Sequence, residues 1–577
     1  MIILLAMFFM SLDRAEIFEH ELERDMEIIM SELEYLEQHP ININTASIDE
    51  LQQLPFLSMI ESYRVVEYRN QHGPFQCVYD LKKISGFTDA LISNIEPFIS
   101  VKDVHVYHEQ TDLRMRGVSF LPHVHHGEKV YGRLISKVPP YTLCVLTEKD
   151  VGEAILYDFW AAGIVVTERS LAFALGKYDL DIGPGVMLSP LGSFFSTTDF
   201  RIMVRERGII PYTSCNENGG FFGAALTDSL WLRFTLFLSS QDLDGRIDTS
   251  GFARSFDVSG EHVDSASRAH KDRIHEECAG YDVRFHLQNL LIAHRTYVCQ
   301  YDPPFMSDDL SENFYGAAFF MSGLHMLYSG DRSVLFAEIA RGFKDRIGGI
   351  GGFNSTLPVI DATVAVRYFP EGFYSPKGIE AKKGERSGII MLKSRYAPIE
   401  VKADLEINQK AGNDTIIYNA RLTAERKMKF LHLKVQLRWR YSLDNIALSG
   451  SRVFLRVQPL EQLWFDLRLE ERYAMQESGI DRGLFGALEL GTRFNSISVR
   501  VRYGRFDIDS YDARMYIYEI DLPGIVNNRM LHGTGHYGFL YSSVKIHRAV
   551  KFSAKFAAMK KDTLLTQKIA IQIDGTF

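Results

Sequence analysis

Residues 431–443 read LHLKVQLRWRYSL, in which apolar or aromatic residues alternate with polar ones throughout. Successive side chains of a β-strand point to opposite faces, so this segment is predicted to be a strand with one apolar and one charged face. It is longer than the usual globular strand of about 5–6 residues, and long enough for the about 9–11 residues of a membrane-crossing strand. The pattern therefore predicts a transmembrane β-strand. We expect Leu433, Val435 and Leu437 to face lipid, and Lys434, Gln436 and Arg438 to face the lumen.

The same two-residue period continues along most of the chain after residue 104. Apolar residues share one strand face in the segments 232–238, 463–469 and 497–503. At about 20–25 residues per strand and connection, residues 102–577 would supply on the order of 18–24 strands of an antiparallel barrel. Turns are predicted at the clusters 242–245, 348–352 and 509–512.

The chain ends at Phe577, which Ile569, Ile571, Ile573 and Gly575 precede at alternate positions. A terminal aromatic residue after alternating apolar residues resembles the assembly signal of outer-membrane barrels. An ordinary terminal strand of a soluble β-protein is the alternative. The mean hydropathy of −0.09 does not decide between them, because the two faces of a barrel strand average out.

The net charge of −9 is unevenly distributed along the chain. Residues 1–100 contain 6 basic and 17 acidic residues, a net charge of −11, whereas the remainder contains 58 basic and 56 acidic residues, a net charge of +2. An acidic N-terminal region therefore precedes a nearly neutral body, and this balance disfavours polyanion binding by the N-terminal region.

Residues 1–12 contain an apolar run that is too short to span a bilayer as a helix, and we interpret it as the remnant of a signal peptide. A buried turn of helix is the alternative. Residues 13–40 are predicted to form an acidic amphipathic helix that ends at Pro40. Its apolar face consists of Ile17, Leu22, Met26, Ile29, Leu33 and Leu36.

Residues 41–101 are predicted to form two helix–turn–helix units in tandem. Turns are expected at 55–58 and 85–88, and Gly73 and Pro74 separate the two units. This region resembles the tandem helix-hairpin-helix domain of the competence DNA receptor ComEA. The segments that carry the resemblance are 43–47, 50–51, 54–55, 68–69, 73–75, 79–81 and 84–86. The resemblance implies a small all-α domain and, as one functional hypothesis, a role in DNA uptake.

The body of the chain resembles a family of large Bacteroidetes envelope proteins that join such a helical domain to a barrel. The matching segments are 175–178, 183–185, 210–217 and 516–519. This resemblance extends over nearly the whole chain, but it does not supply a biochemical role.

A helix-hairpin-helix contacts DNA phosphates through the backbone of a Gly-hydrophobic-Gly turn, and nearby basic side chains add attraction. The first turn has Phe56 and Ser58 where the glycines are expected. Between residues 42 and 99, seven acidic residues outnumber four basic ones, so strong DNA binding is not expected. If DNA is bound, the expected contacts are Lys82, Lys83 and the second turn, Gly86, Phe87 and Thr88.

Motifs for catalysis or metal binding are not found in the sequence. The five cysteines form no C-x-x-C, and neither G-x-S-x-G nor H-E-x-x-H occurs. Two groups, His123 with His125 and His270 with His275 and Cys278, lack a complete ligand set and are interpreted as polar strand ends and loops. We therefore expect no enzyme activity, no cofactor and no metal site.

The sequence thus predicts an α+β multidomain chain, with a small all-α tandem helix-hairpin-helix domain at 41–101 and a large antiparallel, outer-membrane-type β-barrel at 102–577. The expected function is that of a non-enzymatic envelope protein surrounded by outer-membrane lipid. Its helical domain would lie in the periplasm and serve as a plug or dock a periplasmic protein. A DNA-uptake component and a soluble β-rich protein are the alternatives.

Overall fold

The computed structural model describes two parts of the chain. In the N-terminal part it describes residues 36, 40–46, 51, 54, 57, 59–84, 87, 91–92 and 95–101. In the body it describes residues 109–577 except 122–126, 154, 169–170, 189–206, 229–232, 258–259, 261, 288, 307–313, 331–332, 358, 379–383, 395–398, 411–414, 443–446, 461 and 477–478.

The body is a closed antiparallel barrel, and its ring contains 24 strands within the described residues. The ring closes where the first strand pairs with the last, with Asp112 opposite Thr576. The strands are Gln110–Leu121, Glu128–Val138, Tyr141–Lys149, Phe159–Glu168, Leu171–Asp181, Phe221–Asp228, Arg233–Leu243, Ile274–Leu287, Leu290–Phe305, Gly316–Ser329, Ser333–Arg341, Ile347–Thr356, Ile360–Phe369, Glu385–Ser394, Glu400–Lys410, Ile416–Lys427, Leu431–Ser442, Ala447–Leu460, Leu463–Gln476, Gly479–Phe494, Ile497–Ile508, Gly533–His547, Val550–Lys561 and Leu564–Thr576. The short strands Gly208–Pro211, Gly245–Ile247 and Ala253–Phe256 add to this sheet outside the ring. The barrel prediction is confirmed, and the strand number is at the upper end of the expected range.

The two faces of the wall strands are divided as the alternation predicts. In the strand Leu431–Ser442, Leu433 and Trp439 are exposed on the outside, whereas Lys434 and Gln436 are buried inside. Exposed apolar residues recur on the outer face of most other wall strands. The outer surface is therefore apolar and the lumen polar, which is the arrangement of a barrel that crosses a bilayer.

The two ends of the barrel differ in the length of their connections. At the end that holds both the start of the first strand and the end of the last, all connections are 2–5 residues long. We call this the short-turn end. At the opposite end, the long-loop end, the connections 182–220, 244–273 and 509–532 are the longest.

Part of the lumen is filled by segments from the long-loop end. Strands Met515–Ile520 and Val526–Leu531 form a hairpin that is not part of the barrel sheet. Near its tip, the carbonyl oxygen of Pro523 accepts hydrogen bonds from Arg116 Nη2 at 3.2 Å and from Gln572 Nε2 at 3.0 Å, on the first and last wall strands. This lumen hairpin, residues 515–531, therefore descends inside the barrel towards the short-turn end.

The N-terminal helical module, residues 36–101, has its own apolar core. Among its described residues the longest helix is Met59–His72, followed by the 3₁₀ helices Val78–Lys83 and Glu96–Phe98. Ile41–Asn42 pairs in parallel with Ile99–Ser100. The break predicted after the long helix is confirmed, because Gly73 has a φ of +85° that other residues rarely adopt. The buried core includes Leu51, Leu54, Leu57, Val65, Phe75, Leu81, Ile84, Phe87, Leu91 and Phe98. Each such side chain contributes about 1.5–3 kcal/mol when fully buried.

One turn prediction is wrong. The glycine run 348–352 lies within the wall strand Ile347–Thr356. A Cβ on Gly348 would lie 2.7 Å from the ring of Phe373, and one on Gly349 would lie 2.7 Å from the carbonyl oxygen of Glu338. The glycines therefore allow an aromatic ring and a neighbouring strand to approach the wall, which a turn-propensity argument cannot detect.

Several other predictions lie outside the described residues, namely those for 1–12, for most of 13–40, and for His123 and His125. Directly before the turn predicted at 85–88, the helix of the second predicted unit is a 3₁₀ helix, Val78–Lys83. The remaining helical segments of the described body are Ser265–Arg268 and Phe343–Asp345. Among the described helices, none has the length and apolar character needed to cross a membrane.

Candidate functional site at the short-turn end of the barrel

Both arginines of the helical module are engaged with backbone carbonyl groups. Arg69 Nη1 donates a hydrogen bond to the carbonyl oxygen of Ile43 at 2.7 Å, within the module. Arg64 Nη2 donates to the carbonyl oxygen of Gly330 at 3.0 Å, in a short turn of the barrel. Two of the four basic residues counted for DNA attraction therefore hold the module together or attach it to the barrel.

The two candidate lysines lie on the 3₁₀ helix Val78–Lys83, and both are exposed. Lys83 Nζ lies 2.7 Å from Asp80 Oδ1. The hydrogen bond from Lys83, with further bonds from the Cys77 and Gln76 amides, lowers the pKa of Asp80 to about 2. Lys82 Nζ lies 5.6 Å from the centre of the Tyr79 ring. The positive charge of Lys83 is thus paired with Asp80 at neutral pH, which weakens the attraction between these lysines and a DNA phosphate.

The hydrophobic residue at the centre of each hairpin turn is an anchor of the core. Leu57 is 1% exposed and Phe87 is 6% exposed, and both pack in the module core. The Phe87 side chain is therefore not a surface contact, so a DNA contact at this position would involve the backbone. Gly86 and Thr88 lie outside the described residues, and their role stays a prediction.

The helical module contacts the barrel at its rim and in its interior. The Arg64 hydrogen bond reaches the turn between strands Gly316–Ser329 and Ser333–Arg341. Tyr518, on the lumen hairpin, packs against the apolar core of the module. The module therefore lies at the short-turn end and meets the part of the chain that descends from the opposite end.

The lumen hairpin is attached to the wall through a buried charge cluster. Lys555 Nζ lies 2.8 Å from Glu519 Oε1 and 3.0 Å from Asp521 Oδ2, and all three side chains are at most 1% exposed. Arg529 and Lys568 also contact these carboxylates, at 3.3 Å and 3.2 Å. The negative charges of these two hairpin carboxylates are thus compensated by two lysines of the wall and one arginine of the hairpin.

A second segment from the long-loop end, residues 182–188, is also buried against the wall. The Val186 amide donates to Glu338 Oε2 at 2.7 Å, and its carbonyl oxygen accepts from Ser375 Oγ at 2.7 Å. Glu338 in turn pairs with Arg295, whose Nε lies 2.8 Å from Asp282 Oδ1. The described part of the lumen is therefore occupied by the chain itself on two sides.

The sequence reasoning did not identify either lumen segment. The sequence contains one signal for them, the resemblance to barrel-linked envelope proteins. Two of the segments that carry this resemblance, 183–185 and 516–519, belong to the buried segment 182–188 and to the lumen hairpin.

The histidines and the cysteine that the sequence groups together have other roles in the fold. His270 Nδ1 pairs with Asp257 at 2.7 Å, His275 Nδ1 pairs with Asp242 at 2.7 Å, and Cys278 is buried opposite Cys299.

Comparison with known proteins identifies the helical module. Residues 37–100 match the helix-hairpin-helix motif family. Over 62 residues the chain is 34% identical to ComE operon protein 1 of Bacillus subtilis (strain 168), an alignment that covers 11% of this chain and 30% of that protein. Over 55 residues it is 38% identical to endonuclease/exonuclease/phosphatase family domain-containing protein 1 of Mus musculus, which covers 10% of each protein. The likeness to these relatives is confined to the module.

Solved structures align with most of the chain at low identity. A mutant of the ferric enterobactin receptor PfeA from Pseudomonas aeruginosa aligns with a TM-score of 0.40 and 10% identity, covering 82% of this chain and 81% of that one. The siderophore receptor PirA from Acinetobacter baumannii aligns with a TM-score of 0.39 and 8% identity over the same shares. The predicted combination of a helix-hairpin-helix module and an outer-membrane-type barrel is confirmed by the motif match and by the barrel itself.

Proposed function

We propose that this chain is a non-enzymatic outer-membrane barrel whose helical module closes the lumen from the periplasmic side. The outer surface of the module would remain available to a periplasmic protein. The observation that carries this proposal is the double contact of the module, with the barrel rim through Arg64 and with the lumen hairpin through Tyr518.

The lengths of the connections support the orientation. Outer-membrane barrels have short periplasmic turns and longer extracellular loops. The first wall strand starts at Gln110, at the short-turn end, and the helical module precedes it in the chain. An orientation with the short turns in the periplasm therefore also puts the module there.

Thiol accessibility tests the closure of the lumen. With cysteine introduced as Tyr518→Cys, the full chain should react with a membrane-impermeant maleimide at least about tenfold more slowly than a chain that lacks residues 41–101, because the module covers Tyr518. Labelling of outer-membrane vesicles opened to the periplasmic side, with the modified site identified by mass spectrometry, measures both rates.

Tyr511→Cys is the matched control, because Tyr511 is 55% exposed in the same long connection and lies at the long-loop end, opposite the module. Its labelling should be the same with and without residues 41–101. Equal labelling of the cysteine at position 518 in both chains would contradict a closing role for the module.

DNA binding is the second candidate function, because the motif match and the relative in Bacillus subtilis both fall on the module. The contacts of its basic residues argue against tight binding. We expect the purified full chain to bind duplex DNA with a dissociation constant no tighter than about 10⁻⁴–10⁻⁶ M at physiological salt, the range of non-specific binders. Fluorescence anisotropy at several salt concentrations measures this constant.

Charge-reversal variants locate any DNA binding that remains. Lys82→Glu combined with Lys83→Glu should abolish binding by the module. The control, Lys545→Glu with Lys551→Glu, makes the same charge change at exposed lysines of the barrel and should leave it unaltered. Tight, salt-sensitive binding that only the first pair abolishes would replace the plug proposal by a DNA-handling role.

A further inference from the structure

Four acidic side chains surround one histidine at the long-loop end of the barrel, away from the helical module. Glu153 and Asp158 belong to the connection 150–158, Glu217 to 182–220, and Asp244 and His262 to 244–273. All five are largely buried, with side-chain exposures of 2–13%. Their ligand atoms form two groups, and the atoms within each group lie within 4.8 Å of one another. One group consists of Glu153, Asp158 and His262, and the other of Glu217, Asp244 and His262.

The two ring nitrogens of His262 have different surroundings. Nδ1 lies 2.5 Å from Asp158 Oδ2, whereas Glu153 Oε1 and Glu217 Oε2 are both 3.9 Å from it. Nε2 lies 3.3 Å from Asp244 Oδ2. The short contact of Nδ1 indicates that it donates its hydrogen to Asp158, so the Nε2 lone pair of the neutral ring is directed to Asp244.

The second oxygen of Asp244 is an unsatisfied acceptor. Asp244 Oδ1 accepts a hydrogen bond from the Asp272 amide at 2.9 Å, but Oδ2 is buried and has no hydrogen-bond partner among the described residues. A buried carboxylate oxygen that faces an imidazole lone pair is unfavourable unless a cation lies between them.

Charge compensation from the protein is incomplete around this oxygen. Lys271 Nζ lies 2.7 Å from Asp158 Oδ2, and so compensates the carboxylate on the Nδ1 side of the ring. On the other side of the ring, Glu217 and Asp244 bring two carboxylates into one group of ligand atoms with a His262 nitrogen. These two buried carboxylates therefore form an acidic pair beside the ring that a bound cation would compensate.

We propose that His262 Nε2, Asp244 Oδ2 and a Glu217 carboxylate oxygen bind a divalent transition-metal cation, with Asp158 as the residue that orients the imidazole. A metal-binding histidine usually donates its second ring hydrogen to a carboxylate, as His262 does to Asp158. The mixture of one imidazole with carboxylates favours Zn²⁺ or a similar cation over Ca²⁺, which takes oxygen ligands only. The bound ion would link two long connections at the mouth of the barrel.

Zinc binding by the full chain in detergent tests the proposal. After extraction with EDTA and dialysis against Zn²⁺, mass spectrometry should find one tightly bound zinc ion per chain. Asp244→Asn and Glu217→Gln should weaken zinc binding at least about tenfold, and Asp158→Asn should weaken it by about 10–100-fold, as expected for loss of an orienting carboxylate. An excess of Ca²⁺ should not displace the zinc.

His270→Gln is the matched control, because His270 forms a carboxylate pair with Asp257 in the same connection but lies outside both ligand groups. It should bind zinc as the unchanged chain does. Heat-modifiable gel mobility shows that each variant is folded. Absence of tight zinc binding by the unchanged chain, or equal binding by Asp244→Asn, would overturn the proposal and leave His262 as a charged partner of its neighbours.

Discussion

Replacing Lys555 with methionine should destabilise the barrel by about 3–5 kcal/mol, the usual cost of removing one partner from a buried ion pair. Lys555 Nζ contacts Glu519 and Asp521, and all three side chains are at most 1% exposed. Methionine fills a similar volume but leaves these hairpin carboxylates without their closest cation, in a place that water does not reach. Urea unfolding in lipid vesicles, followed by tryptophan fluorescence, measures the change.

Lys551→Met is the control for this variant, since Lys551 lies on the same wall strand but is exposed. Its effect should be below about 0.5 kcal/mol, as for most surface substitutions. Protease digestion provides a second measurement, because a hairpin released from the wall should be cut between 515 and 531. A loss of stability no larger for Lys555→Met than for Lys551→Met would show that the charge cluster does not anchor the hairpin.

The architecture of the barrel could be predicted because its signal is local. Alternation has a period of two residues, so each strand shows its apolar face in its own sequence, as Leu433 and Lys434 do. The lumen segments have no such signal. A polar inward face has the same sequence pattern whether it borders water or a hairpin. The contact that attaches the hairpin joins Lys555 and Glu519, which are 36 residues apart, so no local pattern predicts it.

The candidate site shows the same limit. In the sequence, Arg64 and Arg69 count as basic residues that could attract DNA. In the fold, both donate hydrogen bonds to backbone carbonyl oxygens. The acidic cluster around His262 has no signal in the sequence, which predicts no metal site. Its members come from three connections, and Glu153 and His262 are 109 residues apart. No spacing motif can detect ligands that only the barrel brings together.

The wall itself provides the last prediction. Val435 lies near the middle of the strand Leu431–Ser442, on the outer face, with Ala424 and Val453 opposite it on the neighbouring strands. Val435→Arg would put a charge into this apolar band, and near the bilayer midplane that should cost about 2–4 kcal/mol. Urea unfolding in lipid vesicles measures the cost, which should decrease in vesicles with a thinner hydrocarbon layer.

The neighbouring position is the matched control, because Gln436 points inwards. Its side-chain oxygen accepts a hydrogen bond from Arg438 Nε, and Arg452 lies opposite it on the next strand. Gln436→Glu keeps the acceptor and places a negative charge beside two arginines, and the Thr423 hydroxyl, which accepts from Gln436 Nε2 at 3.3 Å, can donate to the new carboxylate instead. The barrel should therefore keep its stability within about 1 kcal/mol. If both variants unfolded at the same urea concentration as the unchanged chain, residue 435 would not contact lipid and the wall would not be a membrane surface there. A large loss for Val435→Arg with none for Gln436→Glu would show that the outward face of this strand lies in apolar surroundings and its inward face in polar ones, as expected for a barrel embedded in a bilayer.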